Sequence, residues 1–251
     1  PSLWPVLPSA TEQITDRLGP DALVLDVGGW AAPFNRADWV LDLMPYETRG
    51  VLMPGGHGPG AERFSAQTWV QRDICDREPW PFADDQFDFA LCVTTLEDVR
   101  DPVWVCSELS RVAKAGYVEV PSLWEELAYG IEGAHLGHSH HRWICSVVDG
   151  GLAFTHKPHS IHGDWRLRVL PRWRAEMSVE DHLQGLFWEG GLPARERIEV
   201  WGPPVEEWRA AVRERFRPSR TEVALKDARD HARHVLGRAR GAVERLLTRR
   251  H

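Results

Sequence analysis

Apolar residues come first as short unbroken runs and later as helical stripes. Residues 11–18 have helical spacing and run into Gly19-Pro20, a stop followed by a breaker, which predicts a first helix. Residues 22–27, apolar and β-branched, end in Gly28-Gly29 and predict a buried parallel strand feeding a tight turn. A second run, residues 39–43, follows after a short connection. Pro45, Pro54, Gly55, Gly56, Gly58, Pro59 and Gly60 break up residues 45–60, which predicts a loop, expected to be mobile. Strands are predicted at 68–74 and 87–93. Val103, Val105, Cys106, Leu109 and Val112 give residues 101–113 a helical stripe, with Pro102 in the first turn and Gly116 as its stop. Residues 117–120 then predict a strand before Pro121.

Further on, strands are predicted at 152–157, 165–170 and 197–201. Ser178-Val179-Glu180-Asp181 predicts the opening of a helix that ends at Gly190-Gly191. Residues 205–216 and 219–251 read as helical, with Arg217-Pro218 between them. Strands alternating with helices predict an α/β fold: a mostly parallel sheet covered on both faces, with ligands at the carboxyl ends of its strands. The expected organisation is one main domain over residues 1–202, a His-rich insertion at about 122–170, and an Arg-rich helical extension over 203–251.

Composition refines this picture at a few points. A chain of 251 residues with 43% hydrophobic and 27% charged residues is long enough for a sizeable core and excludes wholesale disorder. No run approaches the roughly 18 consecutive apolar residues of a membrane span, so no span and a cytoplasmic location are expected. Cys75, Cys92, Cys106 and Cys145 contain no CxxC pair, so neither a disulfide nor cysteine-held zinc is expected. Residues 1–165 carry a net charge of −13 and residues 166–251 one of +6, which together make the −7 of the chain. The acidic half makes nucleic acid an unfavoured partner, although the tail is a candidate basic surface. The apolar positions of the tail favour helix packing, on its own domain or in a homodimer through the C-terminal helices. Thirteen tryptophans are many, and among them Trp124, Trp143 and Trp165 are candidate walls of a sugar-like site.

Four pieces in order carry a family resemblance. Val24-Leu25-Asp26-Val27-Gly28-Gly29 and Val40-Leu41-Asp42-Leu43 come first. Arg72-Asp73-Ile74 and Trp80-Pro81-Phe82-Ala83-Asp84-Asp85-Gln86-Phe87-Asp88 follow. Leu96-Glu97-Asp98-Val99-Arg100-Asp101-Pro102 then precedes Glu108-Leu109-Ser110-Arg111-Val112 and Ala115-Gly116-Tyr117. Over about 100 residues this order resembles class I S-adenosylmethionine-dependent methyltransferases, especially the type 11 group. The resemblance implies a Rossmann-like sheet with an antiparallel last strand and S-adenosyl-L-methionine as cofactor. It implies a cofactor site built from Asp26, Gly28, Gly29, Asp42, Leu43, Asp73, Ile74 and Thr94. Glycines after the first strand let the backbone approach the cofactor, and Asp42 would accept both ribose hydroxyls. Asp73 would accept from the adenine amino group, with Ile74 against the ring. The chain also departs from the family. Trp30 and Ala32 follow Gly28-Gly29, Pro33 interrupts the usual helix, and only 15 residues lie between Asp26 and Asp42. An irregular crossover with the first helix shortened or lost is therefore expected.

Seven of the 12 histidines fall between His135 and His162: His135, His138, His140, His141, His156, His159 and His162. Two subgroups that the chain is similar to, small-RNA 2′-O-methyltransferases and ubiquinone-pathway O-methyltransferases, carry an E-x-x-E-H metal motif after the fourth strand. Thr94, Glu97 and Asp98 stand at those positions here. Glu97, Asp98, His138 and His141 are therefore candidate ligands of a divalent metal (Mg²⁺, Mn²⁺ or Zn²⁺). His138, His140 and His141 are equally candidates for a metal-free general base, or are structural residues. Arg142, Lys157, Arg166 and Arg168 read as a solvated basic face or as anion-recognising groups.

The resemblance thus implies methyl transfer, and the many tryptophans together with the candidate diol-binding metal add the expectation that the acceptor is a hydroxyl of a small polyhydroxylated molecule, a sugar or glycosylated natural product. The competing readings are methylation of RNA ribose, a carboxylate or nitrogen, and a degenerate methyltransferase fold that binds without catalysis.

Overall fold

Four of the apolar runs line up side by side in a computed structural model of the chain, which describes residues 6–218 and Thr221. Helix α1 (Pro8–Arg17) precedes strands β1 (Val24–Val27), β2 (Trp39–Asp42), β3 (Trp69–Gln71) and β4 (Phe89–Val93). Helix α2 (Pro102–Val112), β5 (Ala115–Pro121) and helix α3 (Leu123–Glu126) follow. Then come β6 (Trp143–Val148), β7 (Gly151–His156), helices α4 (Pro171–Arg174) and α5 (Val179–His182), β8 (Leu183–Glu189), β9 (Ala194–Glu196) and helix α6 (Val205–Phe216). The main sheet has the order β3-β2-β1-β4-β5-β8, with every pair parallel except β5 with β8. The order reverses between β1 and β4, which is where open α/β sheets bind ligands.

The central strands alternate sides although both sides are buried. Leu25, Val27, Ala90 and Cys92 face α2 with Val105, Cys106, Leu109 and Val112, whereas Val24, Val40, Phe89 and Leu91 face Ala10 and Ile14 of α1. Burial on both faces accounts for their unbroken apolar runs. Asp101 caps α2 by accepting from the Trp104 amide (3.0 Å). The helix ends at Val112, ahead of Gly116, which belongs to β5. There a side chain would collide with the Ala90 carbonyl (2.3 Å) and the Trp188 ring (2.5 Å), so packing, not helix termination, requires glycine.

As anticipated, β1 and β2 are joined without a helix. The loop over residues 45–60 lies against the β1–β2 connection. Its backbone bonds Trp30, Ala31, Pro33 and Asn35, and the Asn35 amide donates to the Gly60 carbonyl (2.9 Å).

Three later elements also differ from expectation. The helix opened by Ser178 lasts one turn, and residues 183–189 become β8. This strand closes the open edge of β5, and Gly185 sits where a Cβ would touch the Tyr117 hydroxyl (2.1 Å). Trp165–Leu167 form a short 3-10 turn, which Asp164 caps through the Arg166 amide (3.0 Å), and of the predicted strand only Val169 bridges, to Ala128. Pairing with β7 ends at Glu196, and residues 197–201 project Ile198, Val200 and Trp201 into solvent instead of forming a strand.

Strand β6 and its hairpin with β7 were not anticipated, although Asp149-Gly150, both at positive φ, is the turn that marks it. Helix α6 packs Trp208 and Val212 against Leu167 and Val169, which ties it to the 122–170 segment. The predicted helix over 219–251 and the dimer through it lie outside the described residues, Thr221 apart. All four cysteines are buried free thiols. Among the described residues no helix is long and apolar enough to cross a membrane.

Candidate active site at the carboxyl edge of the sheet

Two groups of predicted residues meet at the carboxyl ends of β1, β2, β4 and β5. The first surrounds the turn after β1. Gly28 has φ +80°, and a Cβ there would strike the Thr95 side chain (2.3 Å). Gly29 lies over the Asp26 carboxylate, which is buried and accepts from the Phe34 amide (2.9 Å). Burial pushes Asp26 up to about 7, with neighbouring Asp42 adding to the rise. Asp42 ends β2 and is buried, accepting from the amides of Trp30 (3.0 Å) and Met44 (2.8 Å). Burial raises its carboxyl against the pull of these bonds. Beside it Leu43 is 62% exposed, an apolar surface open at the strand end. Ile74 is buried. Asp73 accepts from the Cys75 amide (2.8 Å) and from Arg100 (2.6 Å). Thr94, at φ +45°, turns the chain out of β4 while its amide bonds the Glu119 carbonyl (2.8 Å).

The second group is a nest of imidazoles and carboxylates. The Glu97 carbonyl accepts from the amides of Arg142 (2.7 Å) and Trp143 (3.1 Å), which draws the His-rich segment onto the loop after β4. His138, His140 and His141 thereby cluster, with ring centroids 4.7–5.6 Å apart. His140 Nε2 and His141 Nε2 each lie 3.8 Å from an Asp98 oxygen. His141 Nδ1 lies 2.5 Å from Glu126 Oε1, and His138 Nδ1 lies 2.7 Å from Glu132 Oε1. Glu97 is 1% exposed, and its Oε2 has no hydrogen-bond partner among the described residues. Burial, then the nearby Asp98, raises its carboxyl far above the usual range. Contact with Glu125, then Glu132, raises His138 against the effect of burial.

Glu125, Glu126 and Glu132 belong to this nest and were not legible as site residues, and Lys157, read from the sequence as part of a basic face or an anion-recognising group, belongs to it too. Glu126 Oε2 accepts from Lys157 Nζ (2.6 Å), so this lysine is spent inside the protein instead of facing an anionic ligand. Burial would raise Glu126, but His141 and Lys157 outweigh it and hold its carboxyl below the usual value. Glu125 accepts from Arg174 (2.7 Å) and lies 2.7 Å from His182 Nδ1. Of the remaining histidines, His135 and His162 pack against one another instead of entering the nest. Trp124 packs edge-on against Phe216 of α6, and the Trp143 indole donates to the Val99 carbonyl (2.8 Å). Trp165 lines a separate shallow surface pocket with Trp173 and Val212.

The family model described as a methyltransferase domain matches residues 58–118, from the glycine-rich loop through the first half of β5. Asp26, Gly28, Gly29 and Asp42 precede that match. No curated protein matches the sequence. Similar solved structures include a methyltransferase candidate from Bacillus halodurans C-125 (21% identity, 45% of this chain and 50% of that one, TM-score 0.33). The YcgJ protein from Bacillus subtilis (18% identity, 45% and 51%, TM-score 0.32) is similar too. So is a SAM-dependent methyltransferase from Methanosarcina mazei (19% identity, 46% and 58%, TM-score 0.32). The chain spans about half the length of these structures. The strand order is that of the Rossmann-like sheet of class I S-adenosylmethionine-dependent methyltransferases, and residues 58–118 match the model of a methyltransferase domain.

Proposed function

We propose that the chain is an O-methyltransferase that uses S-adenosyl-L-methionine to methylate a hydroxyl of a small polyhydroxylated acceptor of the sugar class. One observation carries this reading. The loop after β4 packs Thr95 on the glycine turn of β1 and holds Asp98 among the histidines, with the Asp98 amide bonding the Thr95 carbonyl (3.1 Å). Cofactor and acceptor ends would thus share a wall.

The residues fit the nucleoside half of the cofactor. Each Asp42 oxygen accepts one backbone amide and keeps a lone pair for a ribose hydroxyl, and Leu43 offers an apolar surface to the adenine. When bound, the cofactor supplies an electrophilic sulfonium methyl. The chain's task is to align the acceptor and take its proton, because the oxygen–methyl bond forms as the sulfur–methyl bond breaks and leaves a neutral thioether. The imidazole–carboxylate nest would receive that proton. A hydroxyl needs such help more than a thiol or an amine does, which favours oxygen as the methylated atom.

A non-catalytic binding module is the second reading. It is favoured by the helix-free connection after β1 and by the engagement of Asp73 with Arg100. Calorimetric titration with S-adenosylhomocysteine separates the two. Micromolar binding that Asp42→Ala abolishes without lowering the melting temperature supports the enzyme, and absence of binding by the parent protein supports the module.

A further inference from the structure

The nest is built like a cation site. One ring nitrogen from each of His138, His140 and His141 lies within 4.8 Å of the others. The two Asp98 oxygens are each 3.8 Å from a ring nitrogen. Ligand atoms sharing an ion at about 2.0–2.1 Å stand roughly 3.3 Å apart in tetrahedral geometry, so only a modest inward shift is required. Asp98 Oδ1 is buried and has no hydrogen-bond partner among the described residues, the state expected of a carboxylate awaiting a ligand. The rings are also oriented from behind. Glu126 Oε1 holds Nδ1 of His141, which leaves Nε2 facing Asp98, and Glu132 holds Nδ1 of His138. Carboxylates that fix the far nitrogen are the usual outer layer of histidine metal sites. Glu132 also accepts from the Ser139 amide and hydroxyl (both 2.9 Å), which fixes the segment that carries all three histidines.

We propose that His138, His140, His141 and Asp98 bind one divalent transition-metal ion. Three imidazoles and one carboxylate favour Zn²⁺, Mn²⁺, Co²⁺ or Fe²⁺ over Mg²⁺. Glu97 is not a ligand in this assignment, whereas His140 is one. The site stands without the methyltransferase reading. Its use rests on that reading: the ion would take an acceptor hydroxyl as a further ligand and lower its pKa, and with the imidazoles engaged as ligands the proton would pass to solvent instead of to the nest.

The test uses the full chain, stripped with a chelator and titrated calorimetrically with Zn²⁺, Co²⁺, Mn²⁺ and Mg²⁺, with Co²⁺ absorption as a second readout. One equivalent of Zn²⁺ or Co²⁺ is expected to bind, with a visible Co²⁺ spectrum and a raised melting temperature. Affinity should fall by more than about 100-fold in His140→Ala and Asp98→Asn, and by about tenfold in Glu132→Gln. His159→Ala should bind as the parent does. His140 is 58% exposed, so its loss should leave the metal-free melting curve in place. No binding of any of the four ions overturns the proposal, as does binding that His140→Ala and Asp98→Asn leave unchanged. S-adenosylhomocysteine is titrated into the stripped protein in parallel. Its failure alone removes the methyltransferase reading and leaves the metal site, and the converse removes the metal site alone.

Discussion

Lys157→Met probes the buried charge that holds the histidine segment in place. Glu126 is 1% exposed and the Lys157 side chain equally so, and the ammonium bonds Glu126 Oε2 (2.6 Å) and the His138 carbonyl (3.1 Å). Methionine fills similar volume but makes neither bond. It leaves Glu126 buried with His141 as its remaining hydrogen-bond partner, and the His138 carbonyl loses its donor. Removing one member of a buried ion pair typically costs about 3–5 kcal/mol, because the other charge stays desolvated. Against a total stability of roughly 5–15 kcal/mol, that loss is large. Neutralising both members should cost much less, so Lys157→Met with Glu126→Gln should recover about 2–3 kcal/mol relative to the sum of the single variants. Urea unfolding at pH 7, with chelator present so that no metal contributes, reads all four proteins. Unchanged m-values would confirm that stability alone has moved. A Lys157→Met protein within 1 kcal/mol of the parent would refute the reasoning, and so would simple additivity in the double variant.

Two further predictions concern the sheet. Burial raises the Glu119 carboxyl to about 7, while its Oε2 accepts from the Leu7 amide (2.9 Å) and the Tyr117 hydroxyl (2.5 Å). The folded state therefore holds a proton that the unfolded state releases near pH 4.5. This contribution is complete below pH 4.5 and is lost as the pH rises through 7, by about 3 kcal/mol. Denaturant titrations from pH 4.5 to 8 should show a decline that Glu119→Gln makes shallower by about 3 kcal/mol, the rest belonging to Asp26 and Glu97, and a parallel decline in the variant would contradict the assignment. Gly116→Ala should destabilise by about 1–3 kcal/mol or more, since the added methyl meets the Ala90 carbonyl and the Trp188 ring. A melting temperature equal to the parent's would show that β5 and β8 separate more freely than their packing implies.

The local pattern was enough for β1, β2, β4 and β5, because parallel strands buried on both faces must be continuous apolar runs. It was also enough for α2, whose stripe and Asp101 cap are local signals. It did not decide residues 183–189. Ser178 does open a helix, but pairing with β5 and the contact of Gly185 with Tyr117 turn the chain into a strand. The open edge that β8 closes is not a local property.

The candidate site divides in the same way. His138, His140 and His141 were visible as a cluster because they are neighbours in sequence, and Asp42 and Gly28 because they stand at strand ends in motifs that resemble those of the methyltransferase family. The partners of these groups were not visible. Lys157 reaches Glu126 across 31 residues, and Arg174 and His182 reach Glu125 across 49 and 57. Asp98 meets the histidines because the Glu97 carbonyl accepts the amides of Arg142 and Trp143. Spacing along the chain selects which side chains share a strand end or a short segment. Burial then decides which charges must find partners, and those partners come from wherever the folded backbone brings them.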